Sequence, residues 1–391
     1  MSLHGFDMNV HIICPLSEKP IDNRIKNIII KAVSENVFTA GGTDMDGKAN
    51  IYDIARLTGT TIAAVSRAFD PKGKIEQSKR EAILKAAEKY GYRPNRAAGR
   101  LSGKAIKIGC LLIANIPEYY EELVAGIKNS CAKLSDFKVE CDIRLVPPDE
   151  NGDRVVAAAF EEYLRGGADG VITNIKYTAE AVRYISLLSD AGIPCATVTS
   201  DAPESRRLFS VQNDFVTAGR MAAQLLSLSG ATGSVLLFTG ERDSYVQRHI
   251  ISGFSEEAAE DGLSVIGTYD TSDDPDLAAE YAERAFSEHP DCAGIYISTA
   301  NSLPVIGYMK KHGLAGKVKI IASDVFPGLS EYIKDGTVTA TVYQNPYGQA
   351  KTAFEKLYDH ITFKKPEKQI FTVVPQVVMK SNLHLYERNS Q

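Results

Sequence analysis

Asn50-Ile51-Tyr52-Asp53-Ile54-Ala55-Arg56-Leu57-Thr58-Gly59-Thr60-Thr61-Ile62-Ala63-Ala64-Val65-Ser66-Arg67 decides how this 391-residue chain is read. Asn50 is placed to cap a helix over 51–57, and Asp53 in its first turn favours the helix dipole. Gly59 breaks the chain. Thr60 or Thr61 then caps a second helix, Ile62 to Phe69, which ends before Asp70-Pro71. Ser78-Lys79-Arg80-Glu81 reads as a capping box for a third helix. Ile83, Ala86, Ala87 and Tyr90 share one face of that helix, Gly91 stops it, and Pro94 follows. Helix, short glycine turn, helix is the helix-turn-helix pattern. Ile54, Ala55, Leu57, Ile62, Val65 and Ile83 supply its expected core, with Ala55 and Gly59 letting the helices approach closely. The exposed face of the second helix carries Thr61, Ile62, Ala63, Ser66 and Arg67. These residue types suit a major groove, where arginine pairs with guanine and apolar methyls meet thymine. Taken alone, the same residues also fit a purely structural three-helix cap.

Charge points the same way. Between Met45 and Lys104 there are 13 Lys/Arg and 6 Asp/Glu, whereas the whole chain carries a net charge of −5. A basic segment therefore stands before an acidic body, the footprint of a small polyanion-binding module; a helical pair with solvated lysines would give the same count. With 44% hydrophobic and 24% charged residues, the chain is an ordinary globular one and neither disordered nor collagen-like. Ile108 to Ala114, the longest nearly apolar run, is far short of the ~18 residues of a membrane span. No secretory pattern is visible at the start of the chain. The six cysteines (Cys14, Cys110, Cys131, Cys141, Cys195, Cys292) form no Cys-x-x-Cys pair. They read as reduced, mostly buried thiols. A cytoplasmic protein that does not engage membranes is the expectation.

The quoted stretch resembles the DNA-binding headpiece of the lactose-repressor (LacI-type) family. Tyr90-Gly91-Tyr92-Arg93-Pro94-Asn95-Arg96-Ala97-Ala98-Gly99-Arg100-Leu101 is similar to the end of that headpiece and its hinge helix. The resemblance continues to about Val378. It implies two hinge helices that fold together on an operator, with Leu101 as the minor-groove wedge and Asn95 and Arg100 at phosphates or the groove floor. Alone, 95–102 is too short for a stable helix in water, and Gly99 weakens it by about 1 kcal/mol.

From 105 onward, strand-like runs alternate with amphipathic helices. Strands are expected at 106–113, 138–146, 170–173, 195–199, 234–239, 264–269, 293–298, 319–323 and 338–342. Alternation of this kind implies parallel sheets covered on both faces, and about nine units imply two doubly wound α/β lobes with a cleft. The expected organisation is an extension over 1–44, a headpiece over 45–93, a hinge over 94–104 and a sensor over 105–391. Lobe 1 is expected at about 105–210 and 344–370, and lobe 2 at about 211–343 and 371–391. The resemblance implies a periplasmic-binding-protein-like sensor.

Ligands of such folds bind beyond the carboxyl ends of the strands. Tyr119 and Tyr120, Thr199 to Asp201, Arg248, Asn301, Asp324 and Gln344 all follow strands or open the helices after them. Aromatic faces with bidentate polar groups suit a sugar or polyol. Helix caps, packing tyrosines and a hinge hydrogen bond explain the same residues without a ligand. The resemblance favours the site, because Arg248 precedes Gly253-Phe254 at the spacing of the family's effector arginine. Asn301, Asp324 and Gln344 match other effector positions. Three departures bear on ligand identity: Ser302 where an acid commonly follows the asparagine, Thr199 where some relatives use an acid, and Phe215 after Asp214 where asparagine is common.

No Walker A loop, Gly-x-Gly-x-x-Gly turn, His-Glu-x-x-His or Gly-x-Ser-x-Gly is present in the sequence, and no cofactor is implied. The expectation is a dimeric, ligand-controlled transcription regulator, in effect a repressor of a carbohydrate uptake or catabolic operon on a near-palindromic site. An enzyme and a solute-binding protein without a regulatory role are the competing readings. Residues 1–44 fall outside the family pattern; they read either as a short ordered extension, with Ile25 to Val33 as a fragment of helix, or as lying upstream of a translation start at Met45.

Overall fold

The computed structural model describes residues 49, 51–69, 73–92, 104–113, 116–146, 152–174, 178–365 and 367–387. The chain folds as two units, one ending at Lys104 and the other running from Ala105.

The first unit holds α1 (Ile51–Leu57), α2 (Ile62–Ala68) and α3 (Gln77–Lys89). Gly59 ends α1 in left-handed backbone (φ 60°). Thr60 N donates to Ala55 O (2.9 Å) and Gly59 N to Arg56 O (3.3 Å), a Schellman closure. A side chain on Gly59 would meet nothing, so it serves the turn and not a close helix approach as expected. Thr61 caps α2, accepting from Ala64 N at 3.2 Å. Ser78 is not the cap of α3. That position belongs to Glu76, and the Ser78 hydroxyl donates to the Glu76 carboxylate (2.7 Å) from inside the first turn.

The core of this unit is Ile54, Ala55, Val65, Ala68, Ile83, Ala87 and Tyr92. Leu57 and Ile62, expected inside, are 49% and 42% exposed. Tyr92 and Ala68 fill the space instead, and Tyr90, which caps the end of α3, is also exposed. Arg80 is structural, donating to Ala68 O (2.9 Å) and Gly73 O (2.6 Å) and so closing the α2–α3 connection.

The second unit is two six-stranded α/β lobes. In chain order its elements begin β1 (Ile106–Ile113), α4 (Pro117–Lys133), β2 (Val139–Val146), α5 (Gly152–Glu162), β3 (Gly170–Thr173), α6 (Ala179–Asp190), β4 (Cys195–Val198) and β5 (Phe209–Asn213). They continue with α7 (Phe215–Leu228), β6 (Gly233–Thr239), α8 (Tyr245–Glu260), β7 (Leu263–Asp270), α9 (Pro275–Glu288), β8 (Gly294–Ile297), α10 (Leu303–Lys311) and β9 (Lys319–Ser323). The last are α11 (Pro327–Lys334), β10 (Ala340–Tyr343), α12 (Pro346–Phe363), β11 (Ile370–Val373) and β12 (Gln376–Val378).

Lobe 1 has the strand order β11-β5-β4-β3-β1-β2 and lobe 2 the order β12-β10-β9-β8-β6-β7. All pairings are parallel except β10 with β12. The two orders are equivalent, so each sheet reverses direction between its first and third strands, the switch point where doubly wound folds place ligands. The sequence reading missed β5, β11 and β12. Consequently the chain crosses between lobes after Asn213 and after Val373, not near 210 and 370. Each lobe has apolar layers on both sides of its sheet. Among the described residues, no helix is long and apolar enough to cross a membrane.

Candidate functional site

In the first unit α2 presents its outer face beside a locked inner one. Val65 and Ala68 are buried, while Thr61, Ile62, Ala63 and Arg67 are exposed. Thr61 spends its side-chain oxygen on the cap, which fixes the start of α2. Asn50, Asn95, Arg100 and Leu101 lie outside the described residues, as does the side chain of Ser66.

In the second unit the switch point of lobe 1 lies between β1 and β3. Asn174, directly after β3, accepts from Ile113 N (2.7 Å) and donates to Ile113 O (3.3 Å) and to the Tyr120 hydroxyl (2.9 Å). This tie sets the ring at the start of α4. Tyr119 packs edge-on against Tyr120, with centroids 5.7 Å apart. Its hydroxyl lies 3.4 Å from Thr199 Oγ1 and accepts from Gln349 Nε2 at 3.4 Å.

The switch point of lobe 2 lies between β6 and β8. Gln247 on α8 is buried and donates to Ser298 O (3.2 Å), while Ser298 Oγ donates back to Gln247 Oε1 (2.6 Å). Thr299 Oγ1 donates to Asp273 (2.6 Å) and accepts from Asn301 N (3.2 Å). Arg248, one residue after Gln247, is exposed. The inward position on that turn of α8 belongs to the glutamine, and Ile250, two residues on, is fully buried.

The lobes meet at the crossovers. Gln344 follows β10 and bonds Asp324 twice, from its backbone N (3.0 Å) and from Nε2 (3.1 Å). Gln344 O accepts from Asn213 Nδ2 (3.0 Å) and Gln349 Nε2 (2.9 Å). Tyr343 donates to Glu122 on α4 (2.6 Å). Burial pushes the Asp324 carboxyl up to about 7, against the Gln344 donors and with Glu122 adding to the rise. Burial likewise holds the hydroxyls of Tyr119 and Tyr120 well above the usual phenol range. Asp324 adds to the first and Asp273 to the second, so acids of lobe 2 face the aromatic pair of lobe 1. Asn213 Oδ1, Asn301 Nδ2 and Gln349 Oε1 are buried without a hydrogen-bond partner, in contrast to most buried polar groups.

Six of the eight expected effector residues stand at these strand ends: Tyr119, Tyr120, Thr199, Asn301, Asp324 and Gln344. Arg248 is exposed on α8, and Asp201 has its carboxylate engaged within lobe 1. Asp201 is buried in a bidentate pair with Arg207, whose Nη2 donates at 2.7 Å, and also accepts from Thr197 (3.1 Å) and Ala202 N (2.7 Å). Those donors neutralise it, and Arg207 extends to Gln369 O at the entry to β11 (3.2 Å). Asn174, Gln247, Asp273 and Gln349 were not anticipated. Asn174 carried the signal used for Asn301, a polar residue directly after a strand. No described cluster of His, Cys, Asp and Glu is able to hold a metal ion.

Residues 110–365 match the periplasmic binding protein domain family, and residues 50–95 match the bacterial regulatory proteins of the lacI family. The chain is 22% identical over 346 residues to the HTH-type transcriptional repressor PurR of Vibrio parahaemolyticus, covering 86% of this chain and 98% of that one. It is 26% identical over 270 residues to catabolite control protein A of Priestia megaterium, covering 68% and 78%. Among solved structures, it is similar to the glucose-galactose binding protein GanP of Geobacillus stearothermophilus. That match has a TM-score of 0.64 at 25% identity, over 72% of this chain and 99% of that one. A solute-binding protein of Burkholderia graminis in complex with D-arabinose gives 0.66 at 21% identity, over 73% and 99%. With its head and sensor both matched, the chain belongs to the lacI family of bacterial regulatory proteins and is a DNA-binding transcription regulator with a periplasmic-binding-protein-like sensor.

Proposed function

We propose that two copies of this chain bind a near-palindromic operator, with a sugar or sugar derivative between the lobes of each sensor controlling the grip. The observation that carries the DNA half is α2: its inner side is locked in a core, and its outer side offers Ile62, Ala63 and Arg67. Such a helix is held rigidly enough to read base edges, Arg67 suiting guanine and the methyls of Ile62 and Ala63 suiting thymine. Asn50 and Ser66 complete the reading face, and Asn95, Arg100 and Leu101 of the hinge add minor-groove contacts. Two half-sites then give specificity that one small head lacks.

The sensor half rests on Tyr119, Tyr120, Thr199, Asn301, Asp324 and Gln344, joined by Asn174 and Asp273. Aromatic faces opposite acids and amides fit polyhydroxyl ligands, and the unpartnered Asn301 Nδ2 supplies a donor. The likeness to the glucose-galactose binding protein supports the same ligand class. The genes controlled are those for uptake or breakdown of that sugar. The protein works in the cytoplasm, where its DNA lies, and catalyses no reaction. The lacI-family match over 50–95 speaks against a solute-binding protein without a regulatory role.

Selection from a random duplex library at fixed salt tests the DNA half. The wild-type chain is expected to enrich inverted repeats with a steep salt dependence. Arg67→Ala is expected to lose preference at one base pair per half-site, about 1–3 kcal/mol. Enrichment of no sequence, or of single half-sites only, would defeat the reading. A thermal-shift panel of sugars, sugar phosphates, polyols and nucleobases tests the sensor half. A hit is expected to stabilise the chain by about 2.7 kcal/mol at a hundredfold excess over Kd.

A further inference from the structure

Helices α4 and α12 cross closely at one point, and a cavity opens between them beyond it. A Cβ on Gly126 would meet Tyr347 O at 2.5 Å and the Ala350 side chain at 3.0 Å, so the missing side chain is what lets the two helices approach there. One turn further on lies a cavity of about 310 Å³. Ser130, Lys133 and Leu134 line it from α4 and its end, and Glu355, Tyr358 and Asp359 line it from α12. Ser130 is 1% exposed, and its hydroxyl has no hydrogen-bond partner. A serine in or beside a helix ordinarily bonds back to a carbonyl of the preceding turn, as Ser135 does to Ala132 O (2.8 Å). The charges of the wall are also incompletely matched. Asp359 is taken by Lys365 (2.6 Å), and the ammonium of Lys356, also in the wall, lies over the Phe371 ring at 5.3 Å from its centre. Among the described residues, Lys133 and Glu355 have no ion-pair partner, although they line one cavity with opposite charge. Two opposite charges that share a cavity and do not meet leave room for a group between them.

We infer that this cavity is a second small-molecule site, lined by none of the residues of the lobe junction, and that it takes a free α-amino acid with an apolar side chain. Ser130 and Lys133 are three residues apart and share a face of α4, so a hydroxyl and an ammonium converge on one ligand group, the carboxylate. Glu355 and Asp359 are four apart on α12 and form the facing wall, where Glu355 accepts from the ligand ammonium. Only a ligand with both charges satisfies both walls. A simple anion would meet Lys133 but face the carboxylates of α12, and a simple amine would leave Ser130 and Lys133 without a partner. Leu134 and Tyr358 supply the apolar surface for a side chain, and Tyr358 is fixed by burial and by its edge-on contact with Phe363. The volume is at the low end of the ~300–1,000 Å³ of small-molecule pockets, which suits an amino acid better than a disaccharide or a nucleotide. The position has a consequence for the sensor. Tyr119 and Tyr120 stand at the start of α4 and Gln349 at the start of α12, so an amino acid that joins the later turns of both helices acts on the two elements that carry junction residues.

Isothermal titration of the full chain with L-leucine, L-methionine and L-phenylalanine tests the inference. For whichever binds, the counterparts lacking the amino or the carboxyl group are titrated beside it; for leucine these are 4-methylpentanoate and 3-methylbutylamine. At least one amino acid is expected to bind at one site per chain, and both counterparts are expected to be weaker by about tenfold or more. Lys133 and Glu355 are exposed, so their substitution leaves the core of lobe 1 intact. Glu355→Gln is expected to weaken the amino acid by about tenfold while leaving the counterpart without an amino group unchanged. Lys133→Met is expected to do the converse. Binding of none of the three amino acids overturns the inference, as does a counterpart that binds as tightly as the amino acid itself. Amino-acid binding that stays undiminished in either variant overturns it too, because the ligand then sits elsewhere on the chain.

Discussion

Both lobes end an equivalent strand in the same backbone turn and fill it with different chemistry. After β4, Thr199 is left-handed (φ 68°) and its N–H donates to Val211 O at 2.9 Å. After β9, Asp324 is left-handed (φ 63°) and its N–H donates to Val342 O at 3.0 Å. The turn is one device used twice, at the two strand ends that face the lobe junction. In lobe 1 the position is a neutral hydroxyl, and the nearby acid, Asp201, is turned away and paired with Arg207. In lobe 2 the acid itself occupies the turn, and its donors are the neutral groups of Gln344. Lobe 1 has thus spent its carboxylate on its own stability, whereas lobe 2 keeps one at the junction.

The largest expected effect comes from removing the cation of lobe 1. Arg207→Ala leaves Asp201 buried without its partner and is expected to destabilise the chain by about 3–5 kcal/mol. Denaturant unfolding measures it. A loss no larger than that of a solvent-exposed ion pair would show that Asp201 is not held as the structure has it.

Next comes the acid of lobe 2. Its carboxyl is raised in the folded state to about 7, from 3.8. Below about pH 4 both states are protonated, and Asp324 adds no pH dependence. Between about 4 and about 7 the unfolded chain ionises first, so stability falls as pH rises, and above about 7 the loss is complete. Asp324→Asn is expected to remove that slope. It should be more stable than the wild type by roughly 4 kcal/mol at about pH 8, with little difference near pH 4. Thermal unfolding across that range is the check, and an unchanged slope in the variant would break the comparison between the two turns.

Thr199 gives a smaller effect of known sign. A β-branched residue in left-handed backbone is strained by about 1–2 kcal/mol, and Thr199 recovers little of this through its 3.4 Å contact with Tyr119. Thr199→Gly is expected to raise stability by about 0.5–1 kcal/mol even though it removes a side chain. Destabilisation would mean that the Thr199 hydroxyl contributes more than its distance implies.

Much of this was legible before the structure, and the misses have physical causes. A capped helix, a glycine turn and a second capped helix are local features, so the head could be read from 50–67. The missed strand Phe209–Asn213 buries Ser210 and Gln212 beside its apolar residues, so no apolar run announces it. The missed Ile370–Val373 lies at a sheet edge with half its residues exposed. Site positions after strands could be listed from sequence, but not which acid a distant cation would neutralise. Arg206 pairs with Asp190 while its neighbour Arg207 pairs with Asp201, and nothing in the order of residues separates the two. Spacing along a helix gives a face only to within a residue, so the sequence did not separate buried Gln247 from exposed Arg248.

The smallest expected effect is the most direct probe of how the two turns share one neighbour. The Tyr119 hydroxyl lies at 3.4 Å from both Thr199 Oγ1 and Gln349 Nε2, long for either bond, and it faces the charge of Asp324. Tyr119→Phe keeps the ring against Tyr120 and removes only the oxygen. Two long bonds are worth less than the usual ~1 kcal/mol of a good one, and a buried phenol carries a desolvation cost of its own. The stability change is therefore expected to stay within about 0.5 kcal/mol. Sugar binding is expected to respond more, because a hydroxyl so loosely held in the folded chain is free to exchange these partners for a ligand oxygen. A thermal-shift hit that survives Tyr119→Phe undiminished, yet is lost in Asp324→Asn, would place recognition on the lobe 2 turn alone. Equal losses in both would place the ligand against the two turns together.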